Sequence, residues 1–208
     1  GGLKGEDAYP AVLSGLLPTD ATMRYVVHNF GKSARTALKD NDYAYIKTQE
    51  YADSLLSNPD VVIICLGAND SKPNNWNAEQ YKADYKALIQ EYMNLESNPT
   101  VYLAYTNYVA DQSKTSCNRE NIQNEILPIQ YEIAAELGLK IIDLNTLTMN
   151  NADKYADGIH PNDALQELMA EYVYNALCSE NVGTLTPADA TQTVSMIEAK
   201  ILSADVTL

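Results

Sequence analysis

The chain is short of positive charge, of histidine, of phenylalanine and of long apolar runs. Its 208 residues carry 14 Lys and Arg against 28 Asp and Glu, a formal charge of −14. That balance argues against nucleic acid and anionic membrane as partners, because both reward clustered cations. No apolar run approaches the roughly 18 to 20 residues needed to cross a bilayer. No signal peptide opens the sequence, which begins Gly1-Gly2-Leu3-Lys4 in place of a charged segment and an apolar core. The three cysteines fit no metal spacing. Cys65 lies in an apolar run and reads as a small buried hydrophobe. Of Cys117 and Cys178, one is expected near the top of the sheet and the other at the far end of a descending helix about 24 Å long. A disulfide needs Cα atoms within about 7 Å, so free thiols are expected. Lys32-Ser33 after Gly31 is no phosphate loop, because the position five residues before its Gly is Val26. Neither a metal nor a cofactor is implied. One excess has no explanation in the sequence: 15 Tyr stand against a single Phe.

Hydrophobic residues make up 46% of the chain, and low-complexity runs are absent. The length suits one domain with a substantial core. Val61 to Leu66 is an unbroken apolar run rich in β-branched residues, which reads as a strand buried on both faces. It ends in Gly67-Ala68-Asn69-Asp70. Ligands of open α/β sheets bind beyond the carboxyl ends of such strands, so Asn69 and Asp70 are delivered to a crevice.

Helical spacing places a first helix over Asp7 to Leu17, with Tyr9, Val12, Leu13, Leu16 and Leu17 on one face. Met23 to Asn29 reads as a strand, Lys39 to Gln49 as a polar surface excursion, and Glu50 to Leu56 as a short helix. Asn77 with Gln80 has the form of a capping box opening a helix to about Glu96. Its buried stripe is Tyr81, Tyr85, Leu88, Tyr92 and Leu95. Val101 to Tyr105 is a further strand. Residues 119–137 carry a helical face that Pro128 should kink or restart. Gly138 ends that helix, and Lys140 to Leu144 is the last strand. Pro161 starts a final helix with Leu165, Leu168, Met169, Tyr172, Val173 and Ala176 facing inward. Strands alternating with helices give a parallel sheet covered on both faces. The division expected is a domain over 1–180 and a helical extension, or the start of a further module, over 181–208.

Only two histidines occur. His28 sits on a strand and reads as structural. His160 lies in the loop Tyr155-Ala156-Asp157-Gly158-Ile159-His160-Pro161-Asn162, three residues after Asp157. A carboxylate at that distance can hold an imidazole in one tautomer and stabilise its protonated form.

Asn29-Phe30-Gly31, Gly67-Ala68-Asn69-Asp70 and Asp157-Gly158-Ile159-His160-Pro161 occur in that order, each expected after a strand. Here the chain resembles the SGNH/GDSL hydrolases, serine esterases and lipases, over roughly Gly1 to Cys178. The resemblance implies a three-layer α/β/α, flavodoxin-like fold with a parallel sheet of order 2-1-3-4-5. It implies that Gly31 and Asn69 are oxyanion-hole donors, that His160 is the general base and then the general acid, and that Asp157 orients it. The residue types suit these tasks. Gly31 can offer its N–H with no Cβ in the way, and Asn69 can donate without adding charge. Trp76 is expected near the crevice, lining an acyl or sugar pocket.

One departure stands out. The family's nucleophilic Ser lies in a Gly-Asp-Ser motif after the first strand, and the chain has no Gly-Asp-Ser. The expectation is that this serine and the first strand precede Gly1, at least ~15 residues upstream by strand and turn length. Ser33, Ser71 and Ser203 are poor substitutes. The function expected is ester hydrolysis through an acyl-enzyme on a small-molecule or carbohydrate ester, deacetylation of carbohydrate included, with the 208 residues alone inactive. The alternative is an inactive carbohydrate-binding or scaffolding domain. The resemblance favours a bacterial, extracellular protein.

Overall fold

Alternation along one short strand sets the layering. The computed structural model describes residues 8–18, 25–41 and 43–178. Strands β1 (Val61–Ile64), β2 (Thr100–Ala104) and β3 (Lys140–Ile142) pair in parallel in the order β1-β2-β3. Val62 lies opposite Val101, and Leu103 opposite Ile141. Successive strand side chains point to opposite faces, and both faces are apolar here. Val62, Ile64, Val101 and Leu103 enter one buried cluster. Ile63, Tyr102, Ala104 and Ile142 enter another.

Each cluster is closed by helices. On the first face lie α2 (Gln49–Leu56), α3 (Ala78–Met93) and the segment α4 (Arg119–Asn121) to α5 (Leu127–Leu137). On the second lie α1 (Tyr9–Leu16) and α7 (Asp163–Leu177), joined by Leu13, Leu165, Met169 and Val173. The Tyr9 amide donates to Gln166 Oε1 at 2.9 Å, tying the start of α1 to α7. The result is the three-layer α/β/α sandwich expected.

Local signals hold at most helix ends. Asn77 caps α3 by accepting from the Gln80 amide at 3.0 Å. Gln80 itself turns to Asp84 at 2.8 Å and does not complete the box. Pro128, lacking an amide hydrogen, leaves an orphaned carbonyl one turn back. The chain absorbs it as a π-helical turn, Ile122–Ile126, before restarting as α5. Gly138 closes α5 at φ +67°.

The tyrosine excess now has a cause. Tyr45, Tyr81, Tyr85, Tyr92 and Tyr102 are among the largest fully buried side chains. Three of them spend their hydroxyls on backbone carbonyls: Tyr81 on Leu66 at 3.1 Å, Tyr85 on Ile64 at 3.3 Å and Tyr45 on Phe30 at 3.0 Å. A phenylalanine would fill the same volume and remove one donor from each of those carbonyls, at about 0.5–1.5 kcal/mol each.

Several expectations are corrected. Residues 25–29 form no ladder among the described residues, although Tyr25 and Val27 pack against the second cluster. Strand propensity measures fit to a pleated, half-buried surface, and without a paired neighbour the segment stays irregular. The described sheet, β1-β2-β3, holds three strands in parallel, and the first strand of the order 2-1-3-4-5 is absent from it, as expected. Lys39 to Gln49 is no simple surface excursion: Leu38, Ala44 and Tyr45 are buried, and Tyr45–Lys47 is a 3₁₀ turn. The last strand stops at Ile142, because Asp143 caps a helix that sequence reading missed, α6 (Leu144–Asn150). The Asp143 carboxylate accepts from the Thr146 amide at 2.9 Å. The final helix begins at Asp163 under an Asn162 cap, two residues after Pro161. Tyr172 and Leu16 are exposed, and Leu95 is half-buried. Residues 181–208, including Ser203, lie outside the described residues. All three cysteines are free thiols.

Candidate active site

The turn after β1 is braced from below by a buried polar network. Gly67 sits at φ +147°, and a Cβ there would overlap the Thr106 hydroxyl and lie 3.0 Å from Ile126 Cγ2. Gln130, fully buried, donates to the Leu66 carbonyl at 2.7 Å, the Tyr81 hydroxyl at 3.0 Å and Thr106 Oγ1 at 3.0 Å. Its Oε1 accepts from the Thr106 amide. Thr106 Oγ1 donates in turn to the Leu66 carbonyl at 3.1 Å. These side chains replace the ladder that β1 and β2 abandon at their carboxyl ends, where bare buried backbone is costly.

Asn69 and Asp70 leave this turn with different tasks. Asn69 is 2% exposed and its Oδ1 has no hydrogen-bond partner, while its carbonyl accepts from Asn75 Nδ2 at 2.9 Å. It lines a cleft of about 530 Å³ with Tyr43, Lys72 and Ser116. Asp70 is fully buried and accepts from the Ala37 amide at 3.2 Å and the Leu38 amide at 3.0 Å. Burial pushes its pKa up to about 7 against the pull of those two amides, and Asp84 adds to the rise. Asp70 therefore straps the 31–38 loop to the Asn69 turn and does not face a ligand.

Gly31 lies in that strapped loop. Its N–H donates to Asn29 Oδ1 at 2.9 Å. His28 stacks on Phe30 with ring centroids 5.7 Å apart. Trp76 does not line the Asn69 cleft; it packs on Tyr81 at 5.4 Å against the first cluster. Ser71 is fully buried, donating to the Ala68 carbonyl at 2.6 Å and accepting from the Asn118 amide at 2.8 Å. Its hydroxyl closes the turn and is not presented to solvent.

The third block is the loop between α6 and α7. It is pinched at its base, where the Ala156 amide donates to the His160 carbonyl at 2.7 Å and Asn162 to Lys154 at 2.9 Å. Gly158, at φ +90°, packs so closely on Asp111 that a Cβ would overlap the Asp111 side chain. The Asp111 amide donates to the Gly158 carbonyl at 3.0 Å. Arg119 fixes that neighbouring loop through the Val109 and Ala110 carbonyls, both at 2.6 Å.

Within the loop, Asp157 Oδ1 accepts from the amides of His160 at 2.8 Å and Ile159 at 3.1 Å. Its Oδ2 bonds His160 Nδ1. Burial works against the Asp157 anion, yet the two amides and the imidazole outweigh it and hold the carboxyl below its ordinary range. An ionised carboxylate on Nδ1 fixes the tautomer in which Nδ1 carries the proton and leaves Nε2 the basic nitrogen. The imidazole is 5% exposed. Ile159 and Ala68 share the first cluster, so the Asp157–His160 loop and the Asn69 turn rest on one packed base.

The fold holds His160 on the Asp157 carboxylate in the loop after α6 and buries Asn69 in the turn after β1. Residues 1–168 match the family described as GDSL-like Lipase/Acylhydrolase. The chain belongs to this family. An acetylxylan esterase from Xylanibacter ruminicola is 36% identical over 197 residues, covering 84% of this chain. The alignment takes in 39% of that protein, so this GDSL-family chain spans about two fifths of the curated relative it matches. Among solved structures, an acetyl xylan esterase superposes with TM-score 0.66 at 21% identity, over 83% of this chain and 92% of the other. A carbohydrate acetylesterase from Sinorhizobium meliloti gives 0.62 at 14% identity, over 84% and 86%. Those two likenesses are of fold.

Sequence reading picked out Asn69, Asp157 and His160. It missed the brace of Thr106, Tyr81 and Gln130, and it gave Asp70 to the crevice. Residues that meet only through the fold left no local signal. Gly67 was the nearest clue, since a glycine at a strand end points to a close approach.

Proposed function

We propose that this domain is the acid–base and oxyanion part of a serine-type carboxylic ester hydrolase that deacylates carbohydrate. The observation that carries the reading is the buried His160 imidazole on the Asp157 carboxylate. In the reaction, His160 Nε2 takes the proton of a serine hydroxyl as its oxygen bonds the ester carbonyl carbon. The electron pair moves to the carbonyl oxygen, which Asn69 Nδ2–H and the Gly31 N–H stabilise. The Gly31 N–H exchanges its Asn29 partner for that oxygen. The imidazolium, held by ionised Asp157, returns its proton to the leaving alkoxide. Water then repeats the sequence on the acyl-enzyme. The serine assigned to this role stands in a Gly-Asp-Ser context, which the 208 residues do not contain. Support for a short acyl group on a sugar comes from the acetylxylan esterase relative and from the acidic, polar loops.

In the full-length gene product, His160→Ala lowers 4-nitrophenyl acetate hydrolysis by about 10²- to 10⁴-fold. Asn69→Ala lowers kcat by about 10²- to 10³-fold. Hydrolysis indifferent to both substitutions would overturn the reading, and a full-length protein with no esterase activity would leave a binding or scaffolding domain. The 208-residue chain should not be labelled by a fluorophosphonate probe. Stoichiometric labelling of an internal serine would relocate the nucleophile.

A further inference from the structure

The cleft at Asn69 does not end at the site. Its far wall includes Pro73 and Ser116, and the same two residues line a second cavity of about 640 Å³ with Gln112, Glu120 and Gln123. Each volume falls in the range of about 300–1,000 Å³ typical of ligand pockets, and together they exceed what one acyl group and one sugar ring would fill. The saddle between them is rigid. The Asn118 amide bonds Ser71 Oγ at 2.8 Å beneath it, and Asn75 Nδ2 bonds the Asn69 carbonyl at 2.9 Å beside it.

The walls suit a hydroxyl-rich chain. Tyr43 is 53% exposed at the first cavity, with the Arg35 guanidinium over its ring at 5.9 Å from the centroid. An exposed aromatic ring on the cleft wall is a platform for the apolar face of a pyranose. Lys72 lines the same cavity, and no carboxylate lies within ion-pair distance of its ammonium among the described residues. Its three N–H donors are available for sugar hydroxyls.

We infer that the two cavities, joined over the Pro73–Ser116 saddle, form one groove for an oligosaccharide chain, with Tyr43 as the stacking platform next to the reacting unit. The inference rests on the esterase reading for the choice of sugar but not for its test, which reads binding alone. The 208-residue chain is titrated with β-1,4-xylooligosaccharides of two to five units by calorimetry and amide chemical-shift perturbation. Affinity should rise about tenfold from the disaccharide to the tetrasaccharide, the equivalent of about 1.4 kcal/mol. Tyr43→Ala should weaken every length about threefold to tenfold. Ser116→Trp, which fills the saddle from an exposed position, should remove the gain with length. Unchanged melting temperatures check that both variants fold. Affinity flat with chain length, or no binding of any length, would overturn the groove, as would length dependence that survives Ser116→Trp. Loss of esterase activity in the full-length protein with these titrations intact would instead fault the reaction.

Discussion

Gly67→Ala should cost this domain a large part of its stability, although it adds a single methyl group. At φ +147° an L-residue is strained, which costs about 1–3 kcal/mol. The added Cβ overlaps Thr106 Oγ1 and lies 3.0 Å from Ile126 Cγ2 and 3.1 Å from the Tyr81 hydroxyl. Thr106 cannot yield freely, because its hydroxyl is held by the Leu66 carbonyl and Gln130 Nε2. Overpacking of this kind costs about 1–3 kcal/mol. The sum, about 2–6 kcal/mol, is a large share of the 5–15 kcal/mol typical of a domain. Urea denaturation followed by tyrosine and tryptophan fluorescence should show the midpoint fall with the slope unchanged. Combining it with Thr106→Ala removes the overlapped atom, so the double variant should be more stable than the two single losses predict, by at least about 1 kcal/mol. A Gly67→Ala chain within about 1 kcal/mol of the parent, or losses that simply add, would refute the reasoning.

Three further substitutions test the braces around the site. Asp70→Asn should be near parity with the parent at pH 4 and more stable at pH 8. The folded carboxyl titrates near 7 against 3.8 unfolded, so the native state binds the extra proton between these values and stability is lost as pH rises through them. The full difference is about 4 kcal/mol, and parallel stability curves from pH 4 to 8 would sink it. Gln130→Leu removes one of three donors from the Leu66 carbonyl and takes away the acceptor of the Thr106 amide; a loss of about 1–3 kcal/mol is expected, read as a drop in urea midpoint, and a neutral result would show the network to be dispensable. Gly158→Ala should lower the melting temperature and shift the His160 and Asp111 amide resonances together, since the Cβ forces the two loops apart. Shifts confined to residues 157–159 would count against that coupling.

How far the site is legible in sequence depends on how local its physics is. The capping of α3 by Asn77, the break at Pro128 and the stop at Gly138 are contacts within a turn or two, and each was readable. Asp157 and His160 were readable for the same reason, three residues apart in one pinched loop. Asp143 shows the limit: its cap on α6 is local too, but the apolar run through Leu144 masked it by continuing the strand pattern. Residues 25–29 mark another limit, because a strand exists only when a partner completes its ladder.

Periodicity and short-range chemistry alone placed the long helices α1, α3, α5 and α7, the burial of the central strand on both faces, and the histidine that carries a carboxylate. Long-range packing accounts for Asp70 strapping a loop 32 residues away in sequence, for tyrosine hydroxyls closing the strand ends, and for Pro73 and Ser116 lining both cavities. Each depends on groups far apart along the chain, whose approach is fixed by packing on a shared core and by the need to satisfy backbone polar groups buried there.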